Sequence, residues 1–290
     1  MKKFIYCIIA LWALCGCQGK AQTVMARFVP ERADDFVFEN NLIAGRIYGK
    51  ALEGNPTSPG VDIWVKLPGA LVANDWYAHA VEDGGYYHHD HGGKDCYKVA
   101  VSLGGGASVP LIGDSLRYPA TNYRTWEILE EKPNKVVFVL HYPQWQAADS
   151  IFVALDKKLT VVPDTYFVDV EDTWTFSGTD QLTVAAGIKL HGKQKTVVER
   201  LQTAESYAIW EKASDQHAEP EDGMIGVAVV MPEANKTVLR EDLDHALVLK
   251  TIAPGEVVRY SFGSCWSKGN LKTSEAWFDA VRAEILRGKK

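Results

Sequence analysis

A large all-β antiparallel sandwich closed by a C-terminal α-helix is the fold class this sequence predicts, and three observations predict it. From residue 36 onward, short apolar runs and period-2 alternation dominate, bounded by Gly, Pro, Asn and Asp, which is the pattern of many strands joined by turns. Helical periodicity is almost absent before the tail. Apolar residues make up 47% of the 290, ample for a core, and no Pro/Ser-rich linker or internal repeat divides the chain.

The N-terminal stretch "MKKFIYCIIALWALCGCQGK" comes first in order. Two lysines precede an apolar run from Phe4 to Leu14, then small residues and a cysteine, which is the layout of a secretory signal and too short for a membrane span. Leu14-Cys15-Gly16-Cys17 matches the bacterial lipobox, in which Cys17 is lipidated; ordinary cleavage after Ala21 is the other reading. The expected layout is a signal peptide at 1–17, a tether at 18–35 and one sandwich domain at 36–290. The expected location is the cell envelope, with the N-terminal lipid as the sole membrane contact. No acidic run of the kind that marks surface export follows Cys17, which favours a periplasm-facing lipoprotein. Cys96 and Cys265 are then the thiols of the folded part, and whether they form a disulfide is left open by the sequence. A net charge of −6 with no basic block argues against a nucleic-acid partner.

The strands follow. "YRTWEILEEKPNKVVFVLHY" reads as a hairpin with strands near 123–131 and 135–142, turning through Lys132-Pro133-Asn134. Further strands are expected in "DSIFVALD", "LTVVPDTYFVDVE", "TWTFSG", "DQLTVAAGIKLHG", "GMIGVAVVMP", "HALVLKTI" and "EVVRYSFGSCW". The tail "TSEAWFDAVRAEILRGKK" places Trp277, Val281 and Ile285 on one helical face, with Ser274 or Thr273 as N-cap, Glu275 in the first turn and Gly288 near the stop.

The paired strands "LTVVPDTYFVDVEDTWTF" and "DQLTVAAGIKLHG" resemble those of the galactose-mutarotase-like supersandwich, a fold of aldose mutarotases and of domains in polysaccharide lyases and glycoside hydrolases. More closely, "HHDHGGKDCYKVAVSLGGG", "LRYPATNYRTWEIL" and "FGSCWSKGNLKTSEAWFDAV" resemble an uncharacterised family of secreted Bacteroidetes proteins, a domain of unknown function associated with pectin and uronic-acid degradation. The resemblance implies a saccharide ligand and carries no catalytic residues across. From the mutarotase likeness, His191 and Glu127 could take the acid and base roles of that activity, but its Asn-His motif is missing here.

The stretch "GGYYHHDHGGKDCYK" holds three of the chain's eight histidines within four positions. If it is extended, His89 and His91 share one face and His88 and Asp90 the other, because side chains alternate along a strand. Three readings compete. Imidazole titrates near neutrality and can move a proton at a sugar carbon or oxygen, so His88, His89 and His91 are acid/base candidates, with Tyr97 beside them. No cofactor is needed for that. A lyase acting on a uronic acid must also neutralise the substrate carboxylate, for which Lys98, Lys94 or Arg124 can serve. Alternatively, His89, His91 and Asp95 supply two imidazoles and a carboxylate, as cupins do with Glu, and could hold Zn²⁺ or Fe²⁺ with a further ligand such as His141 or His191. The third reading is a polar loop whose histidines bond only to backbone.

Sugar rings have apolar faces, so tryptophans are natural platforms, although core filling is their usual work. Trp76, which leads into the histidine stretch, and Trp266 beside Lys268 are the candidates for substrate binding, and His191 closes a strand beside Gly192. The expected function is acid/base chemistry on a uronic-acid-containing oligosaccharide, as lyase, hydrolase or epimerase. A noncatalytic carbohydrate-binding protein and a cupin-like metal-dependent sugar isomerase are the alternatives.

Overall fold

A computed structural model describes residues 22–54, 60–192, 195–213 and 217–289. The signal segment and Cys17 lie outside the described residues. Among the described residues, eighteen strands and two α-helices follow in order: β1 (Val24–Val29), β2 (Asp35–Asn40), β3 (Ala44–Ile47), β4 (Val61–Lys66), α1 (Ala73–Ala80), β5 (Gly93–Lys94), β6 (Ser108–Ile112), β7 (Ser115–Leu116), β8 (Thr125–Lys132), β9 (Lys135–Ala148), β10 (Ile151–Val161), β11 (Phe167–Ser177), β12 (Leu182–Lys189), β13 (Val197–Gln202), β14 (Ser206–Lys212), β15 (Met224–Val230), β16 (Lys236–Arg240), β17 (His245–Ile252), β18 (Val257–Trp266) and α2 (Ser274–Gly288).

They form three sheets whose ladders are antiparallel throughout. The first five strands make a meander, eight make a large sheet in the order β13-β14-β15-β18-β11-β10-β9-β8, and five make the order β16-β17-β12-β6-β7. The all-β sandwich with a C-terminal helix is therefore the architecture. The tether is not: 18–35 contains β1, paired with β2 along its whole length, and the two strands bury Val24, Val29, Phe36 and Val37. The domain starts earlier than the alternation suggested because β1 is a short strand read without its partner.

Alternation makes β10 a strand and aims it. Val153, Leu155, Leu159 and Val161 point inward while Phe152, Asp156 and Lys158 face out, so "DSIFVALDKKLTV" is one strand rather than two. The turn follows at Val162-Pro163-Asp164, and β11 absorbs "TWTFSG". One large core lies between the sheets, built from Phe38, Leu140, Leu155, Val170, Ile188, Val248 and Phe262 among others. The helix α2 lays Trp277, Phe278, Val281 and Ile285 on the outside of the large sheet against Trp210, Ala228 and Val230, with Thr273 Oγ1 accepting from Ala276 N. A Cβ on Gly226 would stand 2.7 Å from the Trp277 ring, so the strand needs glycine for the helix to come this close. Trp277→Ala would open a cavity there worth about 3–5 kcal/mol.

The helix α1 has no capping residue of its own, since its N-cap is Val72. Its first amides are taken by a strand residue far back in the chain: Glu39 accepts from Val72 N at 2.7 Å and from Ala73 N at 2.9 Å, and buried Lys66 holds the same carboxylate at 2.7 Å. The helix covers the outer face of the meander, where Trp64, Trp76, Tyr77 and Tyr87 pack together. Cys96 and Cys265 are buried and form no disulfide.

Candidate functional site

The histidine stretch is not extended. Gly85 N donates to Asp83 Oδ1 at 3.0 Å, Tyr86–His88 form a single 3-10 turn, and Gly92 N donates to Asp90 Oδ1 at 3.1 Å with Gly92 in the left-handed region at φ 83°. A Cβ on Gly93 would meet Val65 O at 2.5 Å and the Trp76 ring at 2.6 Å, so only glycine lets β5 join β4 beneath α1. The coil sorts the side chains by depth. Tyr87, Lys94 and Asp95 are buried, His88 is half-buried, and His89, Asp90 and His91 are exposed.

Beneath the stretch lies a cluster of charge on the outer face of the meander. Arg46, from β3, donates through Nε to Asp62 Oδ2 at 2.7 Å and through Nη2 to Asp95 Oδ2 at 2.9 Å, and its Nη1 stands 3.5 Å from Asp35 Oδ2. The rings of Tyr48, Trp64 and Tyr87 surround the guanidinium at 4.9–5.4 Å from its central carbon. Tyr48 donates to Asp62 Oδ2 at 2.7 Å, and Arg32 lies 3.4 Å from Asp35. Burial pushes the Asp35 carboxyl up to about 6 against the pull of Arg46 and Arg32, and burial also raises Asp62. Asp35 Oδ1, Asp62 Oδ1 and Arg46 Nη1 are buried without a hydrogen bond.

This cluster carries the half-buried histidine. His88 Nδ1 faces Asp95 Oδ2 at 3.9 Å, and its ring stacks on that of His217 at 4.0 Å. An imidazole facing a carboxylate is an arrangement from which a histidine can carry out proton transfer. Outside, His91 stacks on Tyr86 at 3.9 Å and Tyr86 on His79 at 4.5 Å, giving a ladder of three nearly parallel rings.

The other expected residues take different places. His89, His91 and Asp95 do not assemble as a metal site: Asp95 turns inward to Arg46 while His91 stacks on Tyr86, and no three His, Cys, Asp or Glu among the described residues are placed to hold a metal. His141 pairs with Asp156 on β10. Tyr97 is sealed, its hydroxyl donating to the carbonyls of Lys189 at 2.8 Å and Gly104 at 3.3 Å, and burial pushes it well above the usual tyrosine range, so it is a packing residue and not the second acid/base expected of it. His191 lies between Glu211 Oε1 at 2.9 Å and the Lys98 carbonyl at 2.7 Å, so both ring nitrogens are engaged inside the protein and none is left to act on a substrate. Its partner is Glu211, not Glu127. The carboxylate grip of Arg124 is taken by Glu53, whose two oxygens receive Nη1 and Nη2. Lys94 is buried against Asp222 at 2.8 Å.

Trp76 is 1% exposed and Trp266 2%, so both are core and neither is a platform. The Trp266 Nε1 donates to the Asp222 carbonyl at 2.6 Å, and Lys268 covers its ring at 4.7 Å while pairing with Asp90 at 2.8 Å. Sequence reasoning missed Arg46, Asp35, Asp62, His217 and Glu211. A signal existed for Asp62 and Arg46, since each interrupts an apolar strand, in "VDIWV" and "AGRIYG", at a position whose neighbours are all buried. None existed for His217.

The sequence model of the family described as a domain of unknown function, DUF4861, matches residues 17–286. The uncharacterized protein P7 of Formosa agariphila is 29% identical over 268 residues, which is 87% of this chain and 64% of that protein. The chain thus spans just under two thirds of the length of that relative. Among solved structures, the GH36 α-galactosidase AgaB of Geobacillus stearothermophilus matches 85% of this chain and 41% of its own at 11% identity and a TM-score of 0.43. A putative aldose 1-epimerase of Escherichia coli K12 matches 86% of this chain and 98% of its own at 9% identity and a TM-score of 0.33.

Proposed function

We propose, from the premise that the chain belongs to the DUF4861 family, that it performs acid/base chemistry on uronic-acid-containing oligosaccharides in the cell envelope, held there by a lipid on Cys17 and facing the periplasm. His88 is the residue that moves the proton. The observation that carries the reading is the line from His88 to Asp95 to Arg46: a half-buried imidazole whose Nδ1 faces a carboxylate that a buried guanidinium holds in place. Of the histidines the sequence singled out, His191 and His141 are each paired with a carboxylate of a neighbouring strand, and His89 and His91 stand outside. The uronic-acid substrate rests on the sequence resemblance.

The test is ultraviolet absorbance of the unsaturated-uronate double bond, with mature protein incubated with pectic oligosaccharides and their lyase-cut products. A rise marks a lyase and a fall marks consumption of unsaturated uronides; His88→Gln should cost at least about a hundredfold in either, the usual contribution of a general acid or base. A flat trace for the wild-type protein defeats the catalytic reading.

A second reading has its own observation. The His79, Tyr86 and His91 ladder is exposed, with the His79 side chain 53% accessible while one of its faces is stacked, and such a platform suits a noncatalytic saccharide binder. Retained binding with a flat trace would favour it.

A further inference from the structure

We infer that Lys98, Lys195 and Lys212 form a subsite for the carboxylates of an acidic saccharide chain. This rests on the uronic-acid reading above and adds the residues that would recognise the charge. All three lysines are exposed. Among the described residues no ion pair or side-chain hydrogen bond engages their ammonium groups, whereas Lys94, Lys157, Lys158, Lys250 and Lys268 are each committed to an acid of the chain.

Far apart in sequence, the three are gathered by one buried knot. His191 Nε2 donates to the carbonyl of Lys98 itself at 2.7 Å. The turn that carries Lys195 is tied down by its own amide, donating to Gly192 O at 3.1 Å, and by Thr196 Oγ1, which reaches His191 O at 3.2 Å and Glu211 Oε2 at 3.0 Å. Lys212 N donates to Thr196 O at 3.0 Å, next to Glu211. The charge of Glu211 is spent inside, on His191 and Thr196, and Asp244 is 3.5 Å from Lys189, so neither answers the three exposed cations.

In a chain of net charge −6 such a group is held against the prevailing sign. Lysine suits the task, because flexible point charges follow successive carboxylates along a chain where a rigid fork would fit only one. The knot also gives His191 a purpose as a positioning residue: it holds the three lysine-bearing segments together.

The experiment is calorimetric titration of the full mature protein with a short oligogalacturonate and with its methyl ester, which has the same sugars and no charge. Wild type should bind the acid in a salt-sensitive way and the ester weakly. K98Q/K195Q/K212Q should bind the acid about tenfold more weakly at low salt and lose most of the salt dependence, while the triple Arg variant keeps both. Because the three side chains are exposed, the Gln variant should melt with wild type. Equal affinity of the Gln variant and wild type for the acid overturns this subsite alone, as does an ester bound as tightly as the acid. A wild-type protein that binds neither overturns the subsite and the uronic-acid reading together. Binding as expected with no change in double-bond absorbance overturns only the catalytic role of His88.

Discussion

Arg46 and Lys157 are both cations sealed inside this protein, and they are housed in opposite ways. Lys157 stands on the inner face of β10 directly across from Asp172 on β11, with its Nζ 2.8 Å and 2.9 Å from the two carboxylate oxygens and 3.0 Å from the Tyr260 hydroxyl. Ser108, from the facing sheet, donates to the same carboxylate. No buried polar atom there lacks a hydrogen bond, and burial draws the ammonium below the usual lysine range against the pull of Asp172. Arg46 instead faces three carboxylates, two of which keep a buried oxygen without a hydrogen bond. The closed pair joins two sheets and serves the fold. The open cluster sits under His88 and spends stability to fix a carboxylate behind an imidazole. Excess buried charge of one sign is a costly feature, which is why the cluster under His88 is the candidate site.

The largest expected effect breaks the open cluster. Arg46→Met leaves Asp35, Asp62 and Asp95 facing one another and should cost about 4–5 kcal/mol by urea denaturation at neutral pH. The loss should shrink toward pH 5, where the carboxyls can take up protons. Asp172→Ala strands Lys157 and should cost about 3–4 kcal/mol, while Lys157→Met with Asp172→Leu should restore most of it, as expected of a pair that only packs. If the double variant were as unstable as the single one, the pair would have more to do than hold two sheets.

The next effects are read against pH. Asp35 goes from 3.8 to about 6 on burial, so the folded state binds its proton more tightly than the unfolded chain. Its contribution is fully present below about pH 4 and lost as pH rises through about 6, a change of at most about 3 kcal/mol. Asp35→Asn should flatten that slope in denaturation midpoints measured across the range. His245 has the opposite sign. Its Nδ1 donates to Leu243 O at 2.6 Å and its Nε2 accepts from Leu103 N at 3.1 Å, so the ring must be neutral, and burial pulls it from 6.5 down to about 4. Stability from this residue is present above pH 6.5 and lost on the way down to 4, and His245→Gln should remove that acid arm, of comparable size. The smallest stability effect sharpens the comparison most. Asp95→Asn keeps the hydrogen bond from Arg46 and should cost only about 1 kcal/mol, yet lower turnover at His88 along with the histidine's apparent pKa in a pH-rate profile.

Much of the fold was legible because alternation is a local property. The hairpin of β8 and β9, the strand β12 and the helix α2 with its Thr273 cap can be read from windows of about ten residues. The helix α1 could not, because its cap is the Glu39 carboxylate, 33 residues before Val72. Nor could the tether be told from β1, whose pairing partner had to be known first. The candidate site was half legible. A dense run of histidines drew attention to the segment that covers the charge cluster, but depth sorted them: one imidazole beside a carboxylate, two outside. Tryptophans read as platforms went to the core, as bulky apolar surface does when a large sandwich has space to fill.

By itself the sequence determined that this chain forms many antiparallel strands and a closing helix, since a period of two and a period near four are written in consecutive residues. Only the tertiary structure decided which charges meet. Arg46 and Asp95 are 49 positions apart, Lys94 and Asp222 128 apart, and Lys98 and His191 93 apart. Long-range electrostatics has no period along a chain, so a buried cluster or an exposed trio of lysines exists only once the sheets have brought its members together.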